Sequence, residues 1–124
     1  MNKRIENVLN RSEADAIMVS DPMAIYYLIN KKFYPGERFL GLLIKKDMTP
    51  KLFLNVLFPC EEIDGVDIVS ISDTDDLAAV LSKYIDPDSV LGVDKTLVAR
   101  YLLPLQEAKI ARRFVNGRSG RAHV

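Results

Sequence analysis

Hydrophobic residues along this chain recur with two spacings, one typical of helices and one typical of buried strands. Residues 3–13 hold apolar side chains at helical spacing and predict a short amphipathic helix. A second helix is predicted to begin at Asp21-Pro22, because Asp is a good cap and Pro suits the first helical position. That helix should end near Asn30.

Short apolar runs between the predicted helices indicate strands. A turn at residues 46–50 separates two of these runs and predicts that they pair in antiparallel orientation. The predicted strands cover residues 16–19, 39–44, 52–54, 67–72 and 90–93, and a short last strand covers 114–115.

Three more helices are predicted after residue 58. A short one covers residues 59–63, and a longer one begins at a cap formed by Thr74 or Asp75. The last is capped by Thr96 and contains Pro104, which should kink or split it. Helices and strands therefore alternate. This pattern predicts an α/β fold, a three-layer α/β/α sandwich around a mixed sheet of about five to six strands.

Length and composition fit one domain, which we place over residues 1–117. Residues 118–124 contain glycine and arginine with little apolar content. We expect this tail to be disordered, and either foreign to the natural chain or the edge of a truncation.

Charge and composition exclude several classes of partner. Seventeen basic residues balance seventeen acidic ones, so no extended field of one sign attracts nucleic acid or an anionic membrane. The first residues lack the apolar stretch of a signal peptide, and the longest apolar runs are too short to span a bilayer. Cys60 is the one cysteine and cannot form an internal disulfide. We therefore expect a cytoplasmic protein that binds neither nucleic acid nor membrane.

Catalytic chemistry is difficult to build from these residues. The one histidine, His123, lies in the predicted tail, so the predicted domain can form neither a Ser-His-Asp arrangement nor a histidine-containing metal centre. The sequence has no glycine-rich phosphate-binding motif. Cys60 is followed by two glutamates, surroundings that indicate a structural thiol rather than a nucleophile. We predict no catalytic residue, no metal ligand and no cofactor in this chain.

Two acidic features have alternative interpretations. Residues 73–76 would suit a hard cation, but capping of the helix that follows explains them better. Asp94 and Asp21, each after a predicted strand, are faintly similar to the acidic sites of phosphoacceptor receiver domains. The capping role explains Asp21 better, and a receiver domain stays a distant alternative.

The loop of residues 31–38 is the best candidate for a binding surface. Phe33, Tyr34, Glu37 and Arg38 place two aromatic rings and two opposite charges around a Pro-Gly turn. An arginine beside aromatic rings is a common element for recognising carboxylates. The alternative is a solvent-exposed approach to a hairpin, in which Glu37 and Arg38 form a local charge pair.

Several short motifs occur in an order that resembles a known family. They are Arg4-Ile5-Glu6, Asp21-Pro22, Ile25-Tyr26-Tyr27-Leu28, Glu37-Arg38-Phe39, Leu42-Leu43-Ile44 and Ser72-Asp73-Thr74-Asp75-Asp76. Their order and spacing resemble the N-terminal domain of the creatinase, prolidase and aminopeptidase P family, most of all that of bacterial Xaa-Pro dipeptidases. The resemblance extends to about residue 117.

The resemblance implies a division of labour. In that family, a C-terminal pita-bread domain holds two divalent metal ions, Mn, Co or Zn, which activate a water for the hydrolysis of Xaa-Pro dipeptides. This chain would then be the non-catalytic part of a metallopeptidase. It would contribute, together with a second subunit, to the dimer and to the active-site wall. Phe33, Tyr34, Glu37 and Arg38 would lie at the substrate entrance.

A different class of function stays open. Domains of this kind also occur in proteins that have lost catalysis and bind other proteins. The second hypothesis is therefore a stand-alone, peptidase-like binding module.

Overall fold

The computed structural model describes residues 2–117, and the tail predicted at 118–124, with His123, lies outside them. Within the described residues the helices are α1 (Lys3–Arg11), α2 (Pro22–Ile29), α3 (Leu77–Ser82) and α4 (Ala99–Glu107). The strands are β1 (Ala16–Val19), β2 (Leu40–Lys45), β3 (Lys51–Asn55), β4 (Asp67–Ile71), β5 (Val90–Val93) and β6 (Arg113–Asn116).

The strands form one mixed sheet in the order β4-β3-β2-β1-β5-β6. β2 is antiparallel to both of its neighbours, and its pairing with β3 confirms the predicted antiparallel pair. The other pairings are parallel. The carboxyl ends of β1, β3, β4, β5 and β6 therefore lie at one edge of the sheet, which we call the carboxyl edge. β2 begins at that same edge.

Helices cover both faces of the sheet, as predicted for a three-layer α/β/α sandwich. Alternate residues of β1 illustrate the separation, since Ile17 belongs to the core on one face and Met18 to the core on the other. α1 and α2 bury Ile5 and Ile25 in the first core. α3 and α4 bury their apolar side in the second, where Leu81 is fully enclosed.

The start of α2 is confirmed, and there the cap residue is followed directly by proline. The carboxylate of Asp21 accepts a hydrogen bond from Met23 N–H at 3.1 Å and caps α2. The predicted caps of α3 were wrong, because the carboxylate that accepts a helical N–H belongs to Asp76, whereas that of Asp75 accepts from Ser72 N–H. Thr96 does not cap α4, which begins later, at a Val98 cap without a side-chain bond.

One predicted helix is absent, and the predicted split of another does not occur. Residues 59–63 form no helix and instead lead into an isolated bridge between Ile63 and Val66. Pro104 lies inside α4 without splitting it. The proline is exposed, and Ala108 N–H donates to its carbonyl oxygen at 3.0 Å, so the turn after it continues normally. The missing N–H removes one helical bond at the solvent side, where water can take its place.

The end of β6 packs tightly on β5. Gly117 N–H donates to the carbonyl of Val93 at 2.9 Å. A Cβ atom on Gly92 would lie 2.6 Å from the Cα of Gly117, so the two backbones touch only because neither residue has a side chain there.

None of the helices within residues 2–117 has the length and apolar character needed to cross a bilayer.

Candidate functional site

A cleft of about 490 Å³ opens at the carboxyl edge of the sheet. Its walls are the loop that precedes β2, the residue that follows β1, and the segment that leads from β5 into α4. The lining residues are Ser20, Pro22, Pro35, Gly36, Glu37, Arg38, Phe39, Leu40, Thr96, Leu97, Val98, Arg100 and Tyr101. The sheet topology explains the location, because ends of parallel strands leave a crevice at a carboxyl edge.

Glu37 is attached to α4 through both its backbone and its side chain. The carbonyl oxygen of Glu37 accepts hydrogen bonds from Arg100 Nη2 and from the Tyr101 hydroxyl, each at 2.5 Å. The Glu37 carboxylate accepts from Arg100 Nη1 at 3.2 Å. Phe39 packs edge-on against the Tyr101 ring at 5.3 Å between centroids. The loop backbone is thereby fixed next to the first turn of α4.

The charge of Arg100 is reinforced by this arrangement. Its hydrogen bond to the Glu37 carboxylate, together with the neighbouring Tyr101 hydroxyl, raises the pKa of the Arg100 guanidinium above its ordinary value. The guanidinium also lies 4.9 Å from the centre of the Tyr101 ring. A permanent cation therefore stands on one wall of the cleft.

Arg38 points to a different partner. Its Nη2 lies 3.4 Å from Oδ2 of Asp73, in the turn after β4. The other carboxylate oxygen of Asp73 accepts a bond from the Asn55 side-chain amide at 2.8 Å. Asn55 is only 3% exposed and is the one buried polar residue in the core of residues 2–117.

The four residues predicted for a binding surface separate into two groups. Glu37 and Arg38 both line the cleft. Phe33 is half-buried and packs against the core beneath α1 and α2, and Tyr34 is 82% exposed. Neither aromatic residue lines the cleft. The predicted local pair between Glu37 and Arg38 is replaced by two long-range pairs, with Arg100 and with Asp73.

Sequence reasoning missed Arg100, Tyr101 and Asn55, and for Asp73 it considered helix capping and cation binding but not a contact with Arg38. The available signal was the sheet register. β2 begins beside the end of β3, and β3 ends beside the end of β4. Residues just before β2 and just after β4 must therefore meet, but that register is not visible in a linear motif.

Asp94 has a structural role at the same edge. Its carboxylate accepts bonds from the backbone N–H groups of Ser20 and Asp21, at 2.8 and 2.9 Å, and from the Ser20 hydroxyl. Thr96 Oγ1 also donates to it, at 3.1 Å. The three donors of Ser20 and Asp21 tie the end of β1 to the end of β5. The Asp94 carboxylate is therefore already bonded within the fold, whereas a phosphoacceptor carboxylate must be free to react.

Acidic residues of the predicted helix start are likewise occupied. Within residues 2–117 no group of three or more His, Cys, Asp or Glu side chains is arranged to hold a metal ion. Asp73, Asp75 and Asp76 bond to Asn55, to Ser72 N–H and to α3, respectively. The Cys60 thiol donates to the carbonyl of its neighbour, Glu61, at 3.3 Å.

A larger cleft of about 980 Å³ lies between the ends of α1 and α2 and the turn at residues 63–66. Two of its polar side chains, Arg4 and Asn2, bond to the backbone of α2. Arg4 donates to the carbonyl of Tyr27 at 2.8 Å and stacks 4.3 Å from the centre of that ring. Asn2 donates to the carbonyl of Leu28 at 2.7 Å. Both side chains therefore donate to carbonyl groups at the end of α2 that have no partner within the helix. The smaller cleft is the better candidate for a binding site.

The mixed sheet with a helical layer on each face places this chain among the three-layer α/β domains. The chain belongs to the Creatinase/Prolidase N-terminal domain family, whose model matches residues 2–117.

Solved structures share this fold. The Creatinase/Prolidase N-terminal domain of an X-Pro dipeptidase from Streptococcus pyogenes has a TM-score of 0.75 and 20% identity, with 94% of both chains covered. A proline dipeptidase from Streptococcus pneumoniae TIGR4 has a TM-score of 0.73 and 23% identity, over 94% of this chain and 91% of the other. A dipeptidase from Pyrococcus horikoshii OT3 has a TM-score of 0.71 and 17% identity, over 91% of this chain but only 33% of the other.

Curated relatives are longer than this chain. An uncharacterized peptidase from Staphylococcus aureus, strain bovine RF122 / ET3-1, is 26% identical over 109 residues. The match covers 88% of this chain and 28% of the relative. This chain therefore spans about 28% of the length of these curated relatives.

Proposed function

We propose that this chain is the non-catalytic N-terminal domain, residues 1–117, of a metal-dependent Xaa-Pro dipeptidase. In the complete enzyme it would pack with a C-terminal pita-bread domain and a second subunit in a cytoplasmic dimer. Its loop with Glu37 and Arg38 would form part of the substrate entrance. Family membership and the chain's 28% share of the length of a curated peptidase support this proposal.

The observation that carries the proposal is the position of Arg38 and Glu37 on the wall of the cleft. The Arg38 side chain is 44% exposed and already lies beside a carboxylate, that of Asp73. A guanidinium can bind the carboxylate of a dipeptide through two parallel N–H donors. Arg38 is thus the residue that we assign to substrate contact, and Glu37 holds the loop that presents it.

Phe33 and Tyr34 take a more peripheral part in this proposal. The half-buried ring of Phe33 supports the loop from the core side, while the exposed ring of Tyr34 offers a surface to a neighbouring domain or subunit. Both flank the segment that reaches the cleft.

The two divalent metal ions of the family, Mn, Co or Zn, would belong to the C-terminal domain. The residues of this chain do not fit such a centre, because no cluster of three potential ligands occurs within residues 2–117. The role proposed here is therefore to bind and orient. We expect the 124-residue chain to release no proline when it is incubated with an Xaa-Pro dipeptide and Mn²⁺.

The test uses the complete dipeptidase. Arg38→Ala should raise KM for an Xaa-Pro dipeptide by about tenfold, since a hydrogen bond to a charged group contributes roughly 1.5 kcal/mol or more. Arg11→Ala, which removes an exposed arginine from the far end of α1, is the matched control and should leave KM unchanged. Equal kinetics for Arg38→Ala and the parent enzyme would contradict the assignment.

A stand-alone binding module is the second candidate. Exposed apolar side chains favour it, since Met23 is 64% exposed, Tyr27 57% and Tyr34 82%. A gene whose reading frame continues past residue 124 into a metal-binding domain would exclude this candidate.

A further inference from the structure

The loop before β2 is attached at two points of unequal strength. At Glu37, two donors reach the backbone carbonyl at 2.5 Å, from Arg100 and Tyr101. At Arg38, a single contact of 3.4 Å joins Nη2 to Asp73 Oδ2. The backbone is therefore fixed, while the guanidinium of Arg38 is held by a long contact that a better partner can replace.

Asp73 keeps its position independently of Arg38. The buried Asn55 side chain donates to Asp73 Oδ1 at 2.8 Å, and its own oxygen accepts from Leu57 N–H at 3.0 Å. Both ends of the Asn55 amide are thus used, which fixes its orientation. Asp73 Oδ2 is left to face Arg38, and it would stay there if the guanidinium turned away.

A carboxylate that arrives in the cleft brings the same chemical group that Asp73 already presents. The Arg38 and Asp73 side chains are 44% and 59% exposed, so water and solutes reach the pair. We propose that Asp73 occupies Arg38 in the ligand-free domain and is exchanged for the carboxylate of the substrate. Asp73 is then a positioning residue that lowers the apparent affinity, and Asn55 holds it in place. This inference rests on the proposed substrate contact of Arg38.

The size of the effect follows from the exposure of the pair. Exposed ion pairs of this kind are weak, so removal of the Asp73 charge should tighten binding of a carboxylate ligand by about two- to fivefold. The effect requires only the local pair, and it should therefore be measurable in the 124-residue chain.

The experiment follows the Nε–Hε NMR signal of Arg38 in the nitrogen-15-labelled chain during titration with glycyl-proline. Glycyl-prolinamide, which lacks the carboxylate, is the ligand control. Asp73→Asn removes the charge and keeps an amide oxygen that can accept from Asn55. Asp75→Asn, the matched control, removes a charge from the same turn without touching Arg38. Backbone spectra report whether each variant is folded, and Asp73→Ser replaces Asp73→Asn if that variant is not.

The expected result is a shift with glycyl-proline alone and a dissociation constant about two- to fivefold lower in Asp73→Asn than in the parent chain or Asp75→Asn. Equal constants in the parent chain and Asp73→Asn refute the exchange and leave the contact of Arg38 intact. A signal that does not move, or that moves equally with glycyl-prolinamide, overturns the exchange and the carboxylate contact together. Kinetics of Arg38→Ala in the complete enzyme then decide separately whether Arg38 has any other role at the entrance.

Discussion

Asn55 is the residue whose replacement tests the architecture of the site most directly. Asn55→Ala would remove the donor at 2.8 Å from the Asp73 carboxylate and the acceptor at 3.0 Å for Leu57 N–H. A lost bond to a charged group costs about 1.5–3 kcal/mol. Leu57 is exposed, so water can replace the acceptor that its N–H loses. Because Asp73 is partly exposed, water offsets some of this loss. We expect the free energy of unfolding to fall by roughly 2 kcal/mol.

The assay is urea denaturation followed by circular dichroism. With a slope of about 2 kcal/mol/M for a small domain, the midpoint should move down by about 1 M without a change in slope. Asn10→Ala is the matched control, since Asn10 is exposed on α1. That substitution should change the free energy of unfolding by no more than about 0.5 kcal/mol.

A clear outcome would refute the reasoning. If Asn55→Ala and Asn10→Ala shift the midpoint equally, the buried amide contributes nothing through Asp73 or Leu57. The same finding would remove the support for a fixed Asp73 carboxylate. A lower midpoint with a changed slope would indicate instead that the variant loses compactness or two-state behaviour.

Three further substitutions test other parts of the structure. Tyr101→Phe should lower the free energy of unfolding by about 1 kcal/mol and speed hydrogen exchange in the cleft loop, because the bond to the Glu37 carbonyl is lost. Tyr84→Phe is the control and should do neither. The Tyr84 ring packs edge-on in the same way, but its hydroxyl has no hydrogen bond to the described residues. Leu81→Ala should lower the free energy of unfolding by about 2–5 kcal/mol in the same urea assay, because the side chain is fully buried, and a loss below 1 kcal/mol would contradict its place in the core. Gly92→Ala should cost about 1–3 kcal/mol, since the new Cβ meets the backbone of Gly117, and unchanged thermal unfolding would mean that β6 is not packed on β5 in this way.

The fold was largely predictable because its main signal is local. Most strands are short apolar runs, and the Asp21-Pro22 start of α2 combines two independent preferences at adjacent positions. The caps of α3 and α4 were misplaced by a few residues because several polar residues precede each helix. Asp75 is used by Ser72 N–H and Thr96 by Asp94, so neither was available to cap a helix.

Only half of the site was predictable, because its residues pair with partners that are far away in the sequence. The sequence marked Glu37 and Arg38 by their aromatic and turn-forming neighbours. It offered no sign that Arg38 meets Asp73, which lies 35 residues away, or that Glu37 meets Arg100 at a separation of 63. Adjacent opposite charges suggested a local pair, but neighbouring residues in an extended or turning segment point in different directions.

The close contact of Gly92 and Gly117 holds the last described residue against the end of β5. That point lies at the edge of the sheet that also bears Arg38 and its cleft. Any domain joined there by a short tether would explore the neighbourhood of the cleft at an effective concentration in about the millimolar range. This domain and a domain tethered to it would therefore stay associated even if the contact between them were too weak to hold two separate molecules together.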